Sequence, residues 1–159
     1  LVFGYDGPPE EDGALTWVPL GVESLSLVVP PGSAPDEVDA TWLAAQDWVA
    51  GCVRCREHLV SCCHLAGFEP RLLHESDDYV AVQNLVAHGF GVTVLPRLAL
   101  SAFRHPDVEV RRSDLFGARH VGIVHRRGAE AVPAIRALSE RLRGVAKETL
   151  GNRRRRPAG

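Results

Sequence analysis

Gly67-Phe68-Glu69-Pro70-Arg71-Leu72-Leu73-His74-Glu75-Ser76-Asp77-Asp78-Tyr79-Val80-Ala81-Val82-Gln83-Asn84-Leu85-Val86-Ala87-His88-Gly89-Phe90-Gly91-Val92-Thr93-Val94-Leu95-Pro96-Arg97 reads as strand, capped helix and buried strand in succession. Leu72-Leu73-His74-Glu75 is a short extended run, and Asp77 or Asp78 supplies an N-cap. Tyr79, Val82, Leu85 and Val86 recur at helical spacing until Gly89 ends the helix. Gly91 to Leu95 is then a β-branched apolar run closed by Pro96.

Outward from this block the same alternation continues. Leu1-Val2-Phe3 is an apolar extended run. Gly7-Pro8-Pro9 and Glu10-Glu11-Asp12-Gly13 mark a turn. Leu15 to Leu20 and then Glu23 to Val29 alternate in the manner of strands, with Leu25, Leu27 and Val29 on one face. Pro30-Pro31-Gly32-Ser33-Ala34-Pro35 removes ladder donors and breaks the run, so it is a loop or crossing. Asp39 or Thr41 caps a short helix carrying Trp42, Leu43 and Ala45. Gln46 to Ala50 is a further strand, and Gly51 breaks into a helix from about Cys52 to Ala66. Asp107 to Arg112 and Arg119 to His125 are two more strand candidates. Ala131, Ile135, Leu138, Leu142 and Val145 set the period of a terminal amphipathic helix. Helices alternating with strands predict an α/β sheet protein with crossover connections. Residues 151–159, with four consecutive arginines at 153–156, hold almost nothing apolar and are expected to be a disordered, solvated basic tail.

At 159 residues and 45% hydrophobic, the chain is long enough to bury a core. Eighteen Lys and Arg against twenty Asp and Glu, a net charge of -2, argue against a chain built around a nucleic-acid surface. No run of about 18 apolar residues could span a bilayer, and the first residues lack a signal-peptide pattern, so a cytoplasmic location without membrane contact is expected. The chain contains no Met and opens directly on an apolar strand, which suggests truncation of a longer protein. A strand deprived of its earlier neighbours would leave the fragment marginal or prone to aggregate in isolation.

The four cysteines invite a metal reading, because Cys52-x-x-Cys55 has zinc-like spacing with His58 and His64 close by. All lie in one predicted helix, where Cys52, Cys55, Leu59, Cys62 or Cys63, and Ala66 repeat on one face as small buried hydrophobes do. No second Cys or His pair completes a tetrahedron, so core packing is the expected role, with neither metal nor cofactor. No nucleophile elbow, phosphate loop or metalloprotease motif is present, and no enzyme is expected. Gly89-x-Gly91 follows a helix and is a turn, not a dinucleotide fingerprint.

Helix starts are better functional candidates, since unpaired N–H groups and the macrodipole favour an anionic ligand. Two follow short strands: Gly51-Cys52-Val53 after Trp48-Val49, and Asp77-Asp78-Tyr79 after His74-Glu75. An ordinary strand-to-helix break at Gly51 and an ordinary N-cap at Asp78 are the competing readings. Tyr5 ends the first strand, where its phenol could meet a ligand or solvent. Thr93, a lone hydroxyl in an apolar strand, faces either a cleft or a backbone carbonyl.

Ala66-Gly67-Phe68-Glu69-Pro70, Asp78-Tyr79-Val80-Ala81-Val82-Gln83 and Val86-Ala87-His88-Gly89-Phe90-Gly91-Val92-Thr93-Val94-Leu95-Pro96-Arg97 resemble the effector-binding domain of LysR-type transcriptional regulators. Pro19 to Pro30 is similar to that domain's crossing between lobes. The resemblance covers nearly the whole chain. It implies a periplasmic-binding-protein-like, two-lobe α/β domain holding a small-molecule effector between its lobes. Residues 29–123 would form a complete second lobe, and residues 1–28 with 124–150 a partial first lobe. The family's contact segments fall here on Tyr5, Gly51, Cys52, Val53, Asp78 and Thr93. DNA contact is implied only through a winged helix-turn-helix ahead of these residues in a parent that is a homodimer or homotetramer. A solute-binding protein of the same fold is the rival reading, and a cysteine or zinc enzyme a more distant one.

Overall fold

A computed structural model describes residues 1–5 and 13–150, so the expected turn through residues 7–12 and the basic tail lie outside the described residues. The chain folds as two compact units. One comprises Leu1–Glu23 and the residues from Ala118 on; the other is Ser24–Gly117.

The second unit is built on strands whose β-branched residues pack from both faces. Strand β2 (Leu15–Val29) is one continuous element, not two. Its last residues pair antiparallel with β5 (Thr93–Pro96) on one side, Leu27 opposite Val94, and with β6 (Glu109–Arg112) on the other, Leu27 opposite Arg111. Val28 is as buried as Leu27 and Val29, so both faces of this stretch are covered, which the alternation reading did not anticipate. Strands β3 (Asp47–Ala50) and β4 (Arg71–Glu75) pair in parallel. Val92 joins β3 to the start of β5: Val49 N donates to Val92 O at 2.9 Å, and Val92 N to Asp47 O at 2.8 Å.

The first three helices fall where the sequence places them. Helix α1 (Ala40–Ala44) is capped by Asp39, whose carboxylate accepts from Trp42 N at 2.8 Å, and it buries Leu43. Helix α2 (Val53–Leu65) buries Leu59, Cys62 and Cys63. Helix α3 (Tyr79–Ala87) buries Val82 and Val86 into a cluster with Val28, Val49, Leu95 and Val108. Each such side chain contributes about 1.5–3 kcal/mol on leaving water. Gln83 on α3 is also buried, yet its amide is satisfied: it donates to Tyr79 O and Phe103 O and accepts from His105 N. Helix α4 (Arg97–Ala102) begins directly after Pro96, a segment that reading by periodicity left out.

In the first unit, β7 (Ala118–Arg126) lies between β1 (Val2–Gly4) and β2. Phe3 faces Val121 across the antiparallel β1–β7 pair. Helix α5 (Pro133–Thr149) opens on a proline at its first turn, where a missing N–H costs nothing. The expected stripe is rotated. Ala131 belongs to a short 3-10 turn ahead of the helix, and Leu138 and Val145 are exposed, while Ala146 and Leu150 are buried. Periodicity locates a helix, but what packs against it decides which side is covered.

Candidate functional site

The parallel pairing of β3 and β4 brings two carboxyl ends to one edge of the second unit, and the link is direct: Ser76 N donates to Ala50 O at 3.1 Å. Helices α2 and α3 each begin within four residues of those ends. In α/β sheets, ligands bind beyond such strand ends.

The two helix starts differ in one respect that matters for an anion. At α3 the Asp78 carboxylate accepts from Val80 N at 2.7 Å and Ala81 N at 3.4 Å, and Asp78 N itself donates to Ser76 Oγ at 3.2 Å. That start already carries a negative cap. At α2 the N-cap residue is Cys52, and it makes no side-chain cap bond. Gly51 and Cys52 are half-buried there, and Val53 is exposed. A Cβ added at Gly51 would stand 3.0 Å from Cys55 Cβ, so the turn into α2 is packed against the helix's own first turn.

Thr93 is buried at the start of β5, where its hydroxyl donates to Val49 O at 2.7 Å and ties β5 to β3. Gly51, Cys52, Val53, Asp78 and Thr93 therefore all belong to the second unit, around the ends of β3 and β4 and the start of β5. Tyr5 belongs to the first unit, half-buried just past β1. Ser76 escaped the sequence reading although it stands between the two helix starts. Its signal was the polar cluster Glu75-Ser76-Asp77-Asp78, where a hydroxyl two residues before an N-cap favours a local turn.

The cysteines do not form one buried stripe. Cys62 and Cys63 are buried, whereas Cys52 and Cys55 are half-exposed with their Sγ atoms 2.7 Å apart. Burial, then the neighbouring Cys62 and Glu69, push the Cys63 thiol from 9.0 up to about 12. His58 Nε2 pairs with Phe116 O at 3.0 Å and lies 3.5 Å from Cys62 Sγ. Among the described residues, no group of three or more His, Cys, Asp or Glu is placed to hold a metal ion. A groove of about 590 Å³ lies along α2, lined by Arg56, Glu57, Val60, Ser61, His64, Leu65 and Leu72, and none of the expected contact residues borders it. No described helix is long and apolar enough to cross a membrane.

A family model described as the LysR substrate binding domain matches residues 1–147. The chain belongs to that family. Comparison with curated proteins finds no match. Among solved structures, this LysR substrate-binding domain is similar to full-length CbnR complexed with its target DNA, at TM-score 0.68 and 21% identity over 91% of this chain and 52% of that one. It is similar also to the regulatory domain of Synechocystis CcmR in complex with 2-PG, at TM-score 0.74 and 15% identity over 89% of this chain and 72% of that one. Full-length OxyR from Pseudomonas aeruginosa matches at TM-score 0.69 and 25% identity, over 85% of this chain and 52% of that one. The domain thus spans about half the length of the full-length regulators it resembles. Its fold is the periplasmic-binding-protein-like α/β fold of LysR effector-binding domains.

Proposed function

We infer that this LysR substrate-binding domain is the non-catalytic sensing part of a cytoplasmic transcriptional regulator. A small effector with an anionic group binds at the start of α2, against Gly51, Cys52 and Val53. Asp78 and Thr93 flank that position on the second unit, and Tyr5 is a further contact position that the family resemblance implies. Effector binding redistributes conformations of the domain and so alters how a winged helix-turn-helix, joined to it in a homodimeric or homotetrameric parent, sits on operator DNA.

The observation that carries this reading is the contrast between the helix starts, one closed by the Asp78 carboxylate and the other without a side-chain cap. An anion arriving at the α2 start gains from N–H groups and macrodipole together. Residues 29–123 are taken as the second lobe, and residues 1–28 with 124–150 as the first. The two compact units change over nearby, between Glu23 and Ser24 within β2 and between Gly117 and Ala118 at the start of β7.

The test is Gly51→Val in the full-length regulator, with operator binding and effector-dependent reporter expression measured together. The variant should keep operator binding and lose the effector response. A wild-type response would remove Gly51 from the site.

A further inference from the structure

Cys52 and Cys55 lie at the N-cap and third positions of α2, the spacing at which an N-cap side chain reaches back over the first turn. Oxygen-bearing N-caps use that reach to bond a backbone N–H. Here the cap makes no such bond, and its Sγ instead stands 2.7 Å from Cys55 Sγ. That separation is well inside ordinary sulfur contact and about 0.7 Å beyond an S–S bond, a gap that small side-chain rotations can close. Both residues are half-exposed, so a small reagent can reach them. The other two cysteines differ in both respects: Cys62 and Cys63 are buried, and the Cys63 thiol holds its proton far above neutral pH.

We propose that Cys52 and Cys55 are a reversible dithiol–disulfide site at the start of α2, oxidised by exchange with a low-molecular-weight disulfide. Cys55 is packed against Gly51, so Cys52 is the attacking group. The Cys52 thiolate attacks one sulfur of the small disulfide; that S–S bond breaks, one small thiolate leaves, and a mixed disulfide forms on Cys52. The Cys55 thiolate then attacks the Cys52 sulfur, the mixed disulfide breaks, and the second small thiolate leaves. The two protons of the protein thiols end on the two departing thiolates. The protein pair gives up two electrons and the small disulfide takes them. The product ties the N-cap of α2 to its first turn.

The chemistry does not depend on an effector, so it can fail or hold independently of the proposed function. The full chain is equilibrated in a series of oxidised to reduced glutathione ratios without effector, quenched in acid, denatured, alkylated and analysed by peptide mass spectrometry. Cys52 and Cys55 should lose alkylation together, as a two-electron transition, with a product lighter by two hydrogens. Cys63 should stay alkylatable at ratios at which Cys52 and Cys55 have closed. In Cys55→Ser, Cys52 should stop at the mixed disulfide and carry one glutathione. The proposal is overturned if Cys52 and Cys55 of the wild-type chain acquire glutathione independently with no internal disulfide. It is overturned equally if they stay fully alkylatable at every ratio, or if Cys62 and Cys63 are consumed first.

Discussion

Arg119 Nε donates to Glu23 Oε1 at 2.6 Å, an ion pair between residues 96 apart in sequence and both almost wholly buried in the first unit. The Arg119 guanidinium also lies 4.1 Å over the Phe3 ring centroid, which adds a cation–π contact. Glu23 is the last residue of that unit's first segment, and Arg119 is the second residue of its return. The pair therefore joins β2 and β7 where the chain leaves the unit and where it comes back.

Removing one partner takes from the other, buried charge the opposite charge it meets in the fold. Arg119→Met and Glu23→Leu, each alone, should destabilise the domain by about 3–5 kcal/mol. The double variant should cost less than either single change, because two apolar side chains need no counter-ion. Urea midpoints of the three variants decide it; additive losses would mean that the pair acts through separate contacts.

Gly91 sits at φ +140, and a Cβ there would lie 2.6 Å from Asp47 O. The obstacle is backbone, and it is the carbonyl to which Val92 N is bonded. Gly91→Ala should therefore push β5 from β3 and cost more than the roughly 1–3 kcal/mol of backbone strain alone. Gly67, at φ +88 with nothing within 4 Å of an added Cβ, is the control. Gly67→Ala should cost only the strain, and equal melting-temperature losses for the two would refute the close-approach argument.

Thr93→Val keeps the volume and removes the hydroxyl that donates to Val49 O. A loss of about 1 kcal/mol is expected, as for one hydrogen bond. On the proposed function, the same substitution in a full-length regulator carrying this domain should abolish the effector response and leave operator binding intact. If the response survives a measured stability loss, Thr93 is a strand tie and makes no effector contact.

Because the folded state holds the Cys63 proton up to about pH 12 and an unfolded thiol releases it near 9.0, the stability contributed by this group is complete below pH 9. It drains away as pH rises from 9 towards 12. The urea midpoint of the wild-type chain should accordingly fall across that interval relative to Cys63→Ala, whose curve lacks the step. Parallel curves would show that the Cys63 thiol is not held protonated by the fold.

Much of the second unit was legible because its signals are local. Asp39 and Asp78 are N-caps with their own helices beside them, and Val82 and Val86 repeat at the period of the helix that buries them. Helix α4 was not legible, since six residues after a proline are too short to show a period. The continuity of β2 was missed because one run was read as stopping at Leu20 and the next as starting at Glu23, although the strand passes through Gly21 and Val22. At the candidate site, Gly51-Cys52-Val53 stood out as a strand-to-helix break, but its missing side-chain cap did not. The division of the cysteines was equally invisible, because one helical spacing serves both a buried pair and an exposed one.

By itself the sequence determined the order of most helices and strands, the two cap neighbourhoods (Asp39 or Thr41, Asp77 or Asp78), the turn at Gly89 to Gly91, and the family to which those elements belong. These depend on propensity and periodicity within about one helical turn or one strand, and such information survives in a linear string. Tertiary structure alone decided that Glu23 meets Arg119, that Thr93 spends its hydroxyl on Val49, that α5 turns Ala146 inward and Leu138 outward, and that Cys52 touches Cys55 while Cys63 is sealed. Each of these is settled by which surfaces exclude water from which groups, and that depends on residues brought together only when the chain has closed on itself.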